Sequence, residues 1–266
     1  MEKTVTNKQQ MELGGIQNIN VSCKDTNVAL FNTDTSSLII KEYKSFGRSK
    51  GSFNIVKSGD AINITDGKCP LFFGALKYTT EIYLPKTFAG NITLKIGTGN
   101  VQLNDSFTFD SLAVECSDGY IRVINVTAQK IKLQSSAGKI QCGTINGDIE
   151  IHTKDGGIFI SQLSGNIIAN AKSGKIQCTV VKPREKIVLT AGDGGIILNI
   201  PKDLHFRFSA KTGSRIKAPF INSLFRPVTD NNTYQGVIGG ENKPRNEAVD
   251  IILTAKDYRI AVNWID

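Results

Sequence analysis

The sequence predicts an all-β protein whose middle forms a right-handed β-solenoid, a coil of stacked β-strands. Three observations favour this fold class. Glycines recur every 18 to 20 residues from Gly99 to Gly194, apolar and polar side chains alternate on both sides of each glycine, and no stretch keeps a helical period. Because one repeat cannot bury its own apolar face, neighbouring repeats should stack into a continuous core.

Each repeat glycine closes a three-residue turn, and an aliphatic side chain stands two positions after it. The Asp-Gly and Ser-Gly dipeptides in these turns are typical of tight corners, where glycine tolerates a positive φ. We expect a positive φ or little space at Gly138, Gly156 and Gly174. The aliphatic side chains should form one buried stack, each member one turn from the next: Ile121, Ile140, Ile158, Ile176 and Ile196.

The strand before each glycine supplies three inward candidates, and the third is small in five of six copies. Before Gly156 these candidates are Ile149, Ile151 and Thr153. A further apolar position follows each glycine by seven or eight residues, so that each repeat has three inward columns. Three inward columns predict a three-sided coil. The last column consists of Phe107, Val126, Ile145, Leu163 and Val181.

The flanks of the repeats are less regular. Residues 1–90 contain strand-like segments divided by polar turns, which predicts an irregular β region that caps the solenoid. Residues 91–266 are predicted to be the solenoid itself, with an insertion at about 219–248 that forms an ordered loop or short hairpin. No linker-like composition separates the two parts, so we expect one continuous domain.

Two segments extend the pattern beyond Gly194. One fits a seventh turn, although Arg215 stands where an aliphatic side chain is expected. The other predicts a closing turn in which Tyr258 takes the place of the glycine. The inward candidates of the two segments are Phe206, Phe208 and Ala210, and Ile251, Leu253 and Ala255.

Several segments resemble one family. They are TTEIYLP leading into NITLKIGTGNVQL, the glycine-x-isoleucine strands, and GVIGGE followed by VDIILTAKDYRIAV. This pattern is similar to the bacterial β-strand-repeat family called “putative adhesins”, a domain of unknown function, over residues 80–266. The resemblance implies a β-solenoid and a non-enzymatic binding or scaffold module of the bacterial cell envelope. It carries over no catalytic or binding residue.

Many members of that family resemble exported or membrane-tethered proteins. Residues 1–15 of this chain are polar and lack the apolar segment of a signal peptide. The printed sequence therefore predicts a cytoplasmic or membrane-associated protein, or a cell-surface protein if an export signal has been removed. No apolar run reaches the roughly 20 residues of a membrane-spanning helix.

Positive charge is concentrated in residues 122–226, which hold 16 basic and 6 acidic side chains. Basic side chains recur there at the repeat spacing, so stacking would bring several of them together. We expect an exposed strip that binds an anionic polymer or an acidic lipid surface, with another protein as the alternative partner. Nucleic acid is a poor candidate, because few aromatic residues alternate with the basic ones. The strip residues are Arg122, Lys132, Lys139, Lys154, Lys172 and Lys175.

A carbohydrate-active solenoid enzyme that acts on acidic polysaccharide is the alternative function. Its candidate acids are Asp118, Asp155 and Asp193, each directly before a repeat glycine. Carboxylates two turns apart would be separated by about 9–10 Å, too far for a retaining pair and near the upper limit for an inverting pair. Aspartate before glycine is typical of turns. The sequence therefore predicts no catalytic residue.

No cofactor or metal site is expected either. Fragments such as GDGGI fall short of a calcium-binding repeat, and His152 beside Glu150 lacks the further ligands of a zinc site. Cys142 and Cys178 occupy one inward column two turns apart, which predicts buried, reduced thiols. The apolar segment 68–78 is predicted to be a buried cap, with a partner-binding loop as the alternative.

Overall fold

The computed structural model describes residues 4–44, 53–66, 78–221, 233–238 and 248–265. Strands and turns make up this part of the chain, and no helix occurs within it. The predicted all-β, solenoid-like fold is confirmed. The chain divides into two compact units, Met1–Ser135 and Ser136–Asp266. The expected boundary near residue 90 stays a prediction, and the apolar segment 68–78 falls almost entirely outside the described residues.

The described part of unit 1 contains nine strands. Several are long, and the longest has 18 residues. The strands are β1 (Thr4–Glu12), β2 (Asn18–Thr33), β3 (Ser37–Lys44), β4 (Asn54–Ser58), β5 (Ala61–Thr65), β6 (Tyr78–Pro85), β7 (Asn91–Thr98), β8 (Val101–Asp118) and β9 (Ile121–Ser135).

Strand β2 is stacked out of chain order. Its residue Ile19 pairs in parallel with Ile62 of β5 on one side and with Ile92 of β7 on the other. Its second half pairs with β6 and with the start of β8. Strand β7 continues onto β8, and β8 onto β9. Residues 18–33 therefore form a turn that lies between two segments that both follow it in the sequence.

The described part of unit 2 also contains nine strands. They are β10 (Ile140–Thr153), β11 (Ile158–Ala171), β12 (Ile176–Ala191), β13 (Ile196–Pro201), β14 (Phe206–Thr212), β15 (Ile216–Lys217), β16 (Thr233–Ile238), β17 (Val249–Ala255) and β18 (Ile260–Ile265). Strand β16 lies in the predicted insertion and pairs antiparallel with β14.

The predicted aliphatic stack is confirmed within unit 2. Ile140 pairs with Ile158, Ile158 with Ile176 and Ile176 with Ile196, in parallel register. All four side chains are fully buried. Ile121 belongs to unit 1, where it is buried and pairs with Val101. The glycine spacing therefore assigned the register of adjacent turns correctly.

The prediction that the segment with Tyr258 forms the closing turn of the coil is wrong about the position of that segment. Strand β17 pairs with β12 on one side and with β14 on the other, and β18 lies in the same way between β13 and β15. The segment 249–265 is thus inserted between the sixth turn of the coil, which contains Gly194, and the segment 206–217. Its inward side chains continue the aliphatic columns of the sixth turn, whereas the segment 206–217 on the other side brings bulky aromatics. Phe206 and Phe208 pack with Phe220 and Trp264.

Two inward positions are shifted from their predicted places. Ile216, instead of Arg215, pairs with Ile260 and continues the aliphatic stack, because the turn after Gly213 is one residue longer. Val180, instead of Val181, is the buried member of the last column. The register of β12 shifts there, and Leu163 pairs with Val180. Val181 is 49% exposed.

The corner glycines are required because of close packing between turns. An ideal Cβ at Gly156 would lie 2.1 Å from the carbonyl oxygen of Gly138, and one at Gly174 would lie 1.9 Å from that of Gly156. Neither glycine has a positive φ. Of the two explanations expected from sequence, lack of space is therefore the correct one at these positions.

The small third side chain of each strand also has a structural role. The Cys116 thiol and the Ser135 hydroxyl in unit 1 donate to the carbonyl oxygens of Gly99 and Gly119, at 3.0 and 3.2 Å. In unit 2 the Thr153 hydroxyl donates to the carbonyl of Gly138 at 3.3 Å and accepts from the Gly156 amide at 3.1 Å. These bonds give backbone groups of the corners hydrogen-bond partners on side chains of the coil.

Cys142 and Cys178 pair with Ile160 from opposite sides and are fully buried free thiols. Burial raises the pKa of the Cys142 thiol to about 12 and also raises the pKa of Cys178. We expect a thiol reagent to leave both unmodified in the native protein and to modify both after denaturation, as measured by peptide mass spectrometry. Rapid native labelling of either thiol would contradict this packing, because a buried protonated thiol is a poor nucleophile.

Candidate functional site

All six residues of the predicted basic strip are exposed. Arg122 and Lys132 lie on outward positions of β9 in unit 1, opposite Gln102 and Ala113 of β8. The other four belong to unit 2, where they lie in the glycine corners. The two groups belong to separate units, and the four lysines of unit 2 share one set of glycine corners.

One column of unit 2 consists of the residues that directly follow each repeat glycine and of the equivalent residues in the last two turns. Backbone hydrogen bonds link successive members, since Ile140 N donates to Gly157 O, Ile158 N to Lys175 O and Ile176 N to Gly195 O. The inserted segment continues this series with Arg259 and Arg215. Each step is one strand spacing, about 4.8 Å. We call this the cation column: Lys139, Gly157, Lys175, Gly195, Arg259 and Arg215.

A second column of basic residues lies at the first position of each corner turn. Ser173 N donates to Lys154 O, and Asp193 N donates to Lys172 O, so these lysines are one strand spacing apart. The pairing of Ala191 with Ala255 places Lys256 next to Gly192 in the same row. We call this the turn column: Lys154, Lys172, Gly192 and Lys256. All three lysines are exposed.

Carboxylates lie between the two columns. Asp155, Asp193 and Asp257 each occupy the middle of a corner turn and are exposed. Within the described residues, none of them comes within 4.0 Å of a basic nitrogen of either column. The corner therefore has seven basic and three acidic side chains.

The candidate catalytic acids are separated in the structure. Ser173 occupies the turn between those of Asp155 and Asp193, so these two carboxylates are two strand spacings apart. Asp118 ends β8 in unit 1 and is exposed. His152 pairs with Asn170, as expected, and its Nε2 lies 2.8 Å from the Glu150 carboxylate. Among the described residues, no three His, Cys, Asp or Glu side chains are grouped to hold a metal ion.

Another basic side chain of unit 2 is already neutralised. Arg207 forms a bidentate ion pair with Asp250, at 2.5 Å from Nε and 2.9 Å from Nη2. These hydrogen bonds lower the pKa of the Asp250 carboxyl. Arg207 therefore contributes little to the attraction of an external anion.

The cation column contains a notch at Gly195. Its cavity of about 300 Å³ lies between the side chains of Lys175 and Arg259. No side-chain atom comes within 4 Å of an ideal Cβ at Gly195. At Gly157, by contrast, the Phe159 ring lies only 2.8 Å from such a Cβ. The equivalent gap between Lys139 and Lys175 is therefore covered by an aromatic ring, and the gap at Gly195 is open.

The sequence missed Arg259, Arg215 and Lys256 as members of this site. The sequence does indicate the position of Arg259, because Tyr258 aligns with the repeat glycines and Arg259 therefore aligns with Lys139 and Lys175. The missing information was the spatial order of the turns. Insertion of residues 249–265 next to the sixth turn brings Arg259 beside Gly195.

Comparison with curated protein sequences found no significant match. Within the described ranges, no helix is long and apolar enough to cross a membrane.

Solved structures and a family profile are similar to this chain. A structure titled a “putative adhesin” from Bacteroides fragilis has 13% identity and a TM-score of 0.53, covering 97% of this chain and 96% of that one. A “putative cell adhesion protein” from Clostridium sporogenes has 12% identity and a TM-score of 0.32, covering 99% and 100%. The first of these likenesses supports the fold. The profile of the Toastrack DUF4097 family matches residues 16–257, and the chain therefore belongs to that family.

Proposed function

We propose that this chain is a non-enzymatic, adhesin-like binding module of the bacterial cell envelope that holds an anionic polymer at the unit 2 corner. The observation that carries the proposal is the pair of basic columns, with seven cations and three carboxylates among the described residues of the corner. The “putative adhesin” name of the similar Bacteroides fragilis structure supports the same class of function.

The arrangement of the two columns suits a polymer better than a single small anion. The basic residues stand on a hydrogen-bonded parallel sheet, so their backbone positions are fixed before any ligand binds. Each exposed lysine alone contributes little, because water and salt screen its charge. A chain of anionic groups can contact several of them at once, and the affinity then comes from repetition.

The first test replaces the four corner lysines with glutamine, at Lys139, Lys154, Lys172 and Lys175. We expect binding to poly(glycerol phosphate) or polygalacturonate, measured by calorimetry at low salt, to weaken at least about tenfold, because several charge contacts are lost together. For the unmodified chain, binding should also fall steeply between low and 1 M salt, where the screening length is about 3 Å.

The matched control removes four exposed lysines of unit 1 instead, namely Lys8, Lys24, Lys57 and Lys95. It changes the net charge equally and should retain most of the affinity. An equal loss in both variants would contradict a specific corner site. Stronger binding to anionic than to neutral liposomes, without binding to either polymer, would replace the polymer with an acidic lipid surface. Shortening of the polysaccharide during incubation would favour the enzyme alternative.

A further inference from the structure

We infer that the notch at Gly195 binds a uronic acid residue, a sugar that carries a carboxylate. The inference rests on the proposed function and names the chemistry that one part of the corner recognises. The notch differs from the rest of the cation column because it is concave, is flanked by two cations and offers both apolar and amide surface.

Two cations flank the notch. Lys175 and Arg259 are two strand spacings apart, about 9–10 Å, with Gly195 between them. Among the described residues, neither cation has a carboxylate within 4.0 Å. Asp193 and Asp257 lie in the exposed turns that precede Gly195 and Arg259. An anionic group of a ligand can therefore contact both cations, and the planar guanidinium matches a carboxylate with two parallel hydrogen bonds.

The floor of the notch is apolar. It is formed by Ile197, which is half-buried, and by Ala261, which is 7% exposed. A sugar ring presents C–H groups on its faces, and these pack against an aliphatic floor with loss of exposed apolar area. A free phosphate has no such surface. The cavity of about 300 Å³ is at the small end of ligand sites, which suits a single ring.

An amide completes the far rim. Asn263 Nδ2 donates to Asn199 Oδ1 at 2.9 Å, and Asn199 Nδ2 donates to Thr179 Oγ1 at 3.0 Å. This chain of hydrogen bonds across three strands fixes the orientation of the Asn263 amide. Its carbonyl oxygen is left as an acceptor, with no donor among the described residues, and a hydroxyl group of the ligand can supply one. Paired cations, an apolar floor and a hydroxyl acceptor together match a uronate.

The test titrates the full chain and its variants with a hexamer of galacturonic acid at low salt, by calorimetry. Arg259→Gln should weaken binding at least about tenfold, because it removes the charged hydrogen bonds. The affinity of Arg259→Lys should lie between those of the unmodified chain and Arg259→Gln, since lysine retains the charge without the planar guanidinium group. The methyl ester of the same hexamer should bind poorly to the unmodified chain. Lys95→Gln, at an exposed lysine of unit 1 outside the corner, is the matched control and should cause at most about a twofold loss.

Asn263→Ala separates the sugar from the charge. It should weaken binding of the hexamer a few-fold and leave binding of poly(glycerol phosphate) unchanged. Equal losses for Arg259→Gln and Lys95→Gln, or no loss with Asn263→Ala, would overturn the notch site. If the unmodified chain binds poly(glycerol phosphate) but not the hexamer, the notch inference fails and the proposed function stands. If it binds neither, the proposed function fails as well.

Discussion

Gly156→Ala is expected to lower the free energy of unfolding of unit 2 by about 3 kcal/mol or more, at the upper end of what overpacking costs. The added Cβ would lie 2.1 Å from the Gly138 carbonyl oxygen and 2.9 Å from the Thr153 hydroxyl oxygen. The first of these atoms is backbone and takes part in the stacking of two turns. Relief of the clash therefore requires two turns to separate, which weakens the hydrogen bonds and apolar contacts between them.

Thermal unfolding of the full chain is the measurement, and a loss of this size should lower the melting temperature by about 10 °C. Ser173→Ala is the matched control, because Ser173 is exposed in the neighbouring corner and the change adds no atoms. Its melting temperature should stay within a degree or two of the unmodified chain. If Gly156→Ala melts like the control, the turns are packed less closely at this corner than the structure shows.

Leu253→Ala is expected to cost about 2–5 kcal/mol, the usual range for truncating a fully buried leucine. Leu253 has 0% exposure and pairs with Leu189 on one side and Ala210 on the other. The small Ala210 cannot fill the space that the leucine side chain leaves, so a cavity should remain between the inserted turn and its neighbours. Denaturant unfolding, with the midpoint and slope fitted together, measures the loss.

Ile252→Ala is the control on the same strand, because Ile252 is 38% exposed and faces outward. It should cost less than about 1 kcal/mol, as most surface substitutions do. Similar losses in the two variants would show that β17 does not lie with its inward face in the core. The comparison therefore tests the inserted position of the strand and not only the importance of apolar residues.

The sequence predicted local register well and spatial order poorly. Glycine spacing was enough to pair Ile140 with Ile158 and Ile158 with Ile176, because each of these turns follows directly on the last. Alternation alone could not decide whether residues 251–255 extend the coil or enter it. Both positions bury the same three side chains, and the choice depends on whether aliphatic or aromatic residues fit between the adjacent turns.

The candidate site was predicted in part for the same reason. Lys139 and Lys175 both directly follow repeat glycines, and this spacing agrees with the one column in which the structure places them. Arg259 could not be placed next to Gly195, because that contact depends on the inserted turn. The notch itself depends on a rotamer, as Phe159 covers Gly157 while no side chain covers Gly195. A period in the sequence carries no information of that kind.

The inserted segment 249–265 also has a consequence for biosynthesis. While the chain is being translated, residues 206–217 leave the ribosome before the strands that separate them from β12 and β13 exist. Phe206 and Phe208 are buried in the folded protein. Until residues 249–265 have been synthesised, both side chains lack their final neighbours and are exposed or in temporary contacts. Contacts between distant parts of a chain form slowly, and exposed aromatic surface favours aggregation meanwhile. This end of unit 2 should thus fold late, and we expect a chaperone to reduce aggregation of the nascent chain there.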